Sequence, residues 1–180
     1  MAGIAAAAIR TLFSAEEIAR RVEGLAQEIA GARLYHPIIV AVLKGSFIFA
    51  ADLIRALHRQ GLAPEIDFIF VASYGAGTTS KGEVVILRDV ESELAGRDVV
   101  IVDDILDSGR TLAFAKALLQ TRGARSVQTC VLVDKQVPRA APITPDFVGF
   151  HCPPVFVVGY GMDLAHRYRE LPFIGEVPGP

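Results

Sequence analysis

The chain has 180 residues, 52% of them hydrophobic and 21% charged, with a formal net charge of -2, and its mean hydropathy is +0.40. That length suits one domain with a sizeable core, and so much apolar content excludes a disordered chain. The near-neutral charge excludes a global basic field for nucleic acid or anionic membrane, so any anionic substrate must be held by local groups.

The apolar start, residues 4–9, has no basic lead-in and meets Arg10 at once, which makes it too short for a signal core or a membrane span. Cys130 and Cys152 form no metal-spaced or redox pair and suit a reducing compartment. A soluble, cytoplasmic protein is expected, with no nucleic-acid or membrane partner.

Ser14 with Glu17 forms a capping box, after which Ile18, Val22, Leu25 and Ile29 recur on one helical face. Residues 38–43 are a continuous apolar run and predict a strand buried on both faces. A helix is predicted over 47–60 with Gly61 closing it, then a strand over 65–73. Residues 74–82 hold Gly, Thr, Ser and Lys without apolar periodicity, the pattern of either a mobile lid or a plain loop. Short strands are predicted at 84–87 and 98–102, a helix over 110–122 closed by Gly123, and a buried strand over 126–133. Strands alternating with helices imply an α/β fold with a mostly parallel central sheet flanked by helices. The tail from Pro138 carries apolar runs at 147–150 and 156–160, expected as a small hood or an edge element. A single domain over 1–180 follows, with a core of about 36–137 and a hood from the N-terminal segment and about 138–180.

The most informative stretch is Val99-Val100-Ile101-Val102-Asp103-Asp104-Ile105-Leu106-Asp107-Ser108-Gly109-Arg110-Thr111-Leu112. An aliphatic strand runs into two carboxylates, a short turn and a helix. In open α/β sheets, ligands bind beyond the carboxyl ends of strands, where Asp103 and Asp104 fall. The turn from Asp107 to Thr111 offers backbone amides, two hydroxyls and the positive end of a helix, which together grip a phosphate monoester. Three carboxylates within five residues repel one another unless hydroxyls or a cation lie between them. Ribose hydroxyls and a hydrated Mg²⁺ both meet that need. The alternative is a solvated acidic strand end with Ser108 or Asp107 capping the next helix. No Walker loop is present, and Gly75-Ala76-Gly77 is not followed by a helix pattern. His36, His58, His151 and His166 show no ligand spacing.

This stretch resembles the phosphoribosyl pyrophosphate (PRPP) binding motif of type I phosphoribosyltransferases, and the wider chain resembles their hypoxanthine-guanine branch. Supporting motifs are Leu43-Lys44-Gly45-Ser46, Ser73-Tyr74, Leu132-Val133-Asp134-Lys135, Asp146-Phe147-Val148-Gly149-Phe150, the run from Phe156 to Asp163, and Tyr168-Arg169-Glu170-Leu171. The family has Glu-Asp where this chain has Asp103-Asp104, and the shorter carboxylate alters ribose or metal distances. The resemblance implies the type I phosphoribosyltransferase fold and transfer of ribose 5-phosphate from PRPP to a 6-oxopurine, with a homodimer or homotetramer.

Residue by residue, the resemblance implies Asp107 as the general base or acid at purine N7. It implies Asp103, Asp104, Asp107, Ser108, Gly109, Arg110 and Thr111 around PRPP, and Lys44, Gly45 and Arg169 at pyrophosphate, in a loop with a non-proline cis peptide. Ser73 and Tyr74 would anchor a lid. Lys135, Phe156, Val157 and Asp163 would meet the purine side, and Asp103, Asp104 and Asp163 would serve Mg²⁺. Read alone, Lys135 suits a solvated lysine, Phe156 a core aromatic, and Asp163 with Arg169 a surface ion pair. A phosphoribosyltransferase-fold regulator of nucleic-acid binding would need a basic face that this chain lacks. A xanthine-preferring relative is a further alternative within the enzyme class. A receiver domain fails because no later strand ends in an aspartate at the required place.

Overall fold

Residue alternation along the strands decides the layers of this chain, seen in a computed structural model that describes residues 9–74 and 83–178. The elements are β1 (Arg10–Phe13), α1 (Ala15–Gly31), β2 (Ile38–Leu43), α2 (Phe47–Arg59), β3 (Glu65–Tyr74), β4 (Glu83–Arg88), β5 (Asp98–Leu106), α3 (Arg110–Thr121), β6 (Ser126–Lys135), β7 (Phe147–Cys152), β8 (Val157–Val158) and β9 (Ile174–Glu176). Ile39 and Ala41 of β2, with Val100 and Val102 of β5, pack in one cluster with Ile18, Val22 and Leu25 of α1 and Phe49 and Leu53 of α2. Ile38, Val40 and Val42 of β2, with Val99 and Ile101 of β5, pack instead with Leu112, Ala115 and Leu119 of α3. The central strands therefore have apolar side chains on both faces, as a parallel sheet covered by helices on both sides requires. Each such fully buried aliphatic side chain contributes about 1.5–3 kcal/mol against the entropy of ordering the chain.

The large sheet runs β4-β3-β2-β5-β6-β7. Its pairs are parallel except β3 with β4, which is antiparallel. The chain steps outward from β2 to β3 and β4, then returns to β5 on the other side of β2 and continues to β6 and β7. The order reverses between β2 and β5, which makes their carboxyl ends the switch point where ligands bind in such folds. A second, three-stranded antiparallel sheet, β1-β9-β8, stands beside it.

The two tail runs part company. Phe147–Cys152 pairs parallel with β6 and forms an edge of the large sheet rather than part of a hood. Val157–Val158 joins the small sheet. β5 and β6 also run further than the predicted 98–102 and 126–133. Carboxylates are poor strand formers by propensity, yet pairing of Asp103 with Val131 and Leu106 with Asp134 carries both strands on.

Candidate active site

The offset between neighbours of β5 makes the site. β2 stays in register with β5 only as far as Ala41 opposite Val102, whereas β6 follows it to Leu106. Residues 103–106 thus keep a partner on one side and lose it on the other, opening a gap at Asp103 and Asp104. Beyond β2 the chain turns through Lys44 and Gly45 into α2, and the Leu43–Lys44 peptide is cis. A Cβ added at Gly45 would lie 1.9 Å from Asp104 Oδ2, so only a glycine lets the backbone rest against that carboxylate. Gly161, at φ +102°, closes on the same loop from the other side, where an added Cβ would meet the Gly45 carbonyl at 2.1 Å. Arg169 pins this arrangement: its guanidinium donates to the Gly161 carbonyl at 2.5 Å and pairs with Asp163 at 2.7 Å.

Burial dominates the electrostatics. Asp103 is 6% exposed. Burial first, and the neighbouring Asp104 charge second, push its carboxyl well above the usual carboxylate range. Burial likewise raises Asp104, against hydrogen bonds from Asp103 and the backbone and the positive charge of Arg169. Two adjacent acids whose ionised forms stay disfavoured despite Arg169 have room for further positive charge. A divalent cation with hydroxyl or phosphate oxygens fits that need chemically.

Downstream, the turn after β5 enters α3 through Gly109, whose φ is +79° and which has no side chain to cap the helix. The Ser108 hydroxyl lies 3.5 Å from the Arg110 amide, at the limit of a hydrogen bond. Asp107 does not cap the helix; its Oδ2 lies 3.2 Å from the Lys135 ammonium. Apart from that long contact, no side-chain acceptor meets the first turn of α3 among the described residues, which leaves amides for an oxyanion to dock on. A cavity of about 270 Å³ runs along these groups, lined by Gly45, Asp103, Asp104, Asp107, Ser108, Gly109 and Thr111 among others. A larger cleft of about 480 Å³ lies between α1, α2 and the segment around Tyr160 and Leu171. It holds none of the acidic strand end or the turn at 107–111, so the smaller cavity is the candidate site.

The phosphoribosyl transferase domain family matches residues 9–164. Among characterised relatives, the hypoxanthine-guanine phosphoribosyltransferase of Bacillus subtilis is 44% identical over 92% of this chain and 91% of its own. The hypoxanthine phosphoribosyltransferase of Buchnera aphidicola is 42% identical over 94% of this chain and 96% of its own. Among solved structures, a hypoxanthine phosphoribosyltransferase from Staphylococcus aureus superposes with a TM-score of 0.87 at 38% identity, covering 94% of this chain and 91% of that one. The chain belongs to the phosphoribosyl transferase family. Its fold is the type I phosphoribosyltransferase fold, as the resemblance implied.

Within this family fold the structure brings most of the expected residues together, with informative exceptions. Arg110 is exposed and does not line the cavity. Lys44 turns away from the carboxylates and holds its ammonium over the Phe70 ring, 5.4 Å from the centroid. Phe156 is 49% exposed, which removes its reading as a core aromatic, while Val157 is buried in the small sheet. Neither lines the cavity around Asp107. Asp163 is committed to Arg169 and to the His166 amide. Among the described residues, no three acidic, His or Cys side chains come close enough to hold a metal. Asp103, Asp104 and Asp163 therefore do not form one protein-only centre. Ser73 and Tyr74 end β3, and the expected lid over 75–82 lies outside the described residues.

Three features of this family member escaped the sequence reading. One is the Lys135–Asp107 ion pair, which only the pairing of β5 with β6 reveals. Another is the seating of Gly161 on Gly45, for which the run Gly159-Tyr160-Gly161 was an unused signal. The last is the packing of the segment after β6 against the phosphate turn.

Proposed function

We propose that this chain transfers the 5-phosphoribosyl group of PRPP to hypoxanthine and guanine, releasing pyrophosphate and forming the purine nucleoside monophosphates of salvage. The observation that carries the reading is the cavity itself: a helix start led by Gly109, the buried Asp103 with part-buried Asp104, and Asp107 in its ion pair with Lys135 line up along one strand end. The names and the 42–44% identity of relatives spanning over nine-tenths of the chain support the same substrates.

In this reading the amides and hydroxyls of residues 107–111 hold the 5-phosphate, with helix α3 supplying favourable dipole. The carboxylates of Asp103 and Asp104 face the ribose hydroxyls and favour the cationic character that grows at C1 as pyrophosphate leaves. The Lys135 ammonium donates to the purine O6; adenine, with an amino group there, would meet it with a second donor. Asp107, freed from Lys135, takes the N7 proton as the new bond forms to the ribose carbon. Phe156 stacks on the purine and the Val157 backbone meets its edge. The Gly45 and Lys44 backbone, Arg169 and Asp163 surround pyrophosphate. Asp103 and Asp104, with Asp163 through substrate oxygens, would hold Mg²⁺, which neutralises charge on the departing pyrophosphate.

Ser73 and Tyr74 anchor a lid that excludes water. We also propose one domain over the whole chain, a homodimer or homotetramer, and a cytoplasmic location. Among the described residues no helix is long and apolar enough to cross a membrane.

Nucleotide formation followed by absorbance, with PRPP and each base in turn, tests the reaction. Hypoxanthine and guanine should turn over and adenine should not, EDTA should stop turnover, and added Mg²⁺ should restore it. Turnover of adenine in preference to hypoxanthine would overturn the base assignment, and EDTA-resistant turnover would overturn the metal requirement.

A further inference from the structure

Beyond Lys135 the chain does not leave the site. It crosses the outside of the phosphate turn before entering β7. The Ala140 and Ala141 amides both donate to the Ser108 carbonyl, at 2.9 and 3.2 Å. The contact is close: a Cβ added at Gly109 would lie 2.7 Å from the Ala141 carbonyl oxygen and 3.0 Å from Ile143 Cγ2. A trans peptide points its carbonyl and the following N–H in opposite directions. Holding the Ser108 carbonyl against Ala140 and Ala141 therefore aims the Gly109 amide away from them, and Gly109 lines the cavity.

One side chain shapes the strap that does this. Arg139 donates through one guanidinium nitrogen to the Ile143 carbonyl and through the other to Asp134 Oδ1. It so ties both ends of the 139–143 bend to the end of β6. Asp134 is itself buried at 6% exposure, and its other oxygen meets His151 Nδ1 at 3.2 Å and Gln136 Nε2 at 3.3 Å. Arginine reaches a carboxylate and a carbonyl from two nitrogens of one rigid planar fork, whereas lysine offers a single point donor that spans the two less well. Neither Arg139 nor Asp134 lines the cavity beside Ser108 and Gly109, so neither is placed to touch a phosphate held at that turn.

We propose that Arg139, anchored by Asp134, is a positioning residue for recognition of the ribose 5-phosphate. It folds the 139–143 strap so that its two amides fix the Ser108 carbonyl and orient the phosphate turn. The inference rests on the proposed transferase reaction and deepens it, because it assigns to a residue outside the cavity the preorganisation of one subsite.

The test separates the phosphate subsite from the purine subsite. In Arg139→Met, which keeps the apolar stem without the fork, KM for PRPP should rise about tenfold while KM for hypoxanthine stays within about twofold. Arg139→Lys should fall between that variant and the parent, and Asp134→Asn should shift the PRPP value in the same direction. Affinity for inosine monophosphate should drop about tenfold relative to inosine, read by calorimetry without turnover, so the phosphate-dependent ratio collapses. Equal rises in both KM values, or an unchanged monophosphate-to-nucleoside ratio with only a lower Tm, would show a purely structural role and overturn the proposal. Should Arg139→Met fail to fold, the same ratio measured in Arg139→Lys decides. A parent protein that forms no nucleotide from PRPP would sink the reaction instead, a result distinct from any of these.

Discussion

In the proposed reaction Asp107 and Lys135 put recognition and chemistry side by side. They lie 3.2 Å apart, and Lys135 is only 14% exposed while Asp107 is 54% exposed. Asp107→Asn keeps the shape and removes the proton acceptor; kcat should fall about 100-fold or more, with PRPP affinity within about threefold. Near-normal turnover in that variant would remove Asp107 from the mechanism. Lys135→Gln should raise KM for hypoxanthine about tenfold and leave KM for PRPP nearly unchanged, as steady-state kinetics in both substrates would show. Gly45→Ala is the sharpest steric test. Its new methyl would occupy the place of the Asp104 carboxylate, so kcat/KM for PRPP should drop about 100-fold while the circular dichroism spectrum is unchanged.

At the scale of elements, the capping box at the start of α1 is fully formed. The Glu17 amide donates to Ser14 Oγ at 3.2 Å, and the Ser14 amide to Glu17 at 2.8 Å. The Ser14 amide is the main cause that holds the Glu17 carboxyl below its ordinary range. Ser14→Ala should cost about 1 kcal/mol, seen as a Tm lowered by about 2–4 °C. This helix was plain in the sequence because Ile18, Val22, Leu25 and Ile29 repeat at helical spacing and all are buried. The central strands β2 and β5 were equally plain, since burial on both faces leaves an unbroken aliphatic run. β1 and β8 were not: four and two residues give no periodicity to read, and the pairing of β1 with β9 joins parts of the chain more than 160 positions apart. The edge strand β7 was half seen. Its residues are only partly buried, so apolar content alone could not say which sheet it joins.

Across the whole molecule, the acidic strand end and phosphate turn were readable because they are contiguous in sequence. Positions supplied from elsewhere were not: the orientation of Lys44 over Phe70 and the strap over Ser108 depend on long-range packing, and the grip of Arg169 on Gly161 depends on a loop with no regular periodicity. The opposite end of the sheet has its own organiser. Asp98, at the start of β5, accepts from the Tyr35 amide at 2.7 Å, the Ser126 hydroxyl at 2.7 Å and Arg125 at 3.2 Å. Burial alone would raise its carboxyl, but these partners outweigh it and hold it below the ordinary value. A depressed carboxyl stabilises the fold above its unfolded pKa, about 3.9, and that contribution fades as pH falls through the lower folded value. Asp98→Asn should therefore lower the urea midpoint at pH 7, and its deficit against the parent should shrink below about pH 4.

The unequal neighbours of β5 have a dynamic consequence. Because residues 103–106 remain zipped to β6 after β2 has ended, the two acids cannot swing outward without tearing a ladder that continues into the core. Backbone amides of that stretch bonded to β6 should thus exchange with deuterium as slowly as those of Val100 and Ile101. The acidic strand end would then be rigid whether or not a ligand is bound.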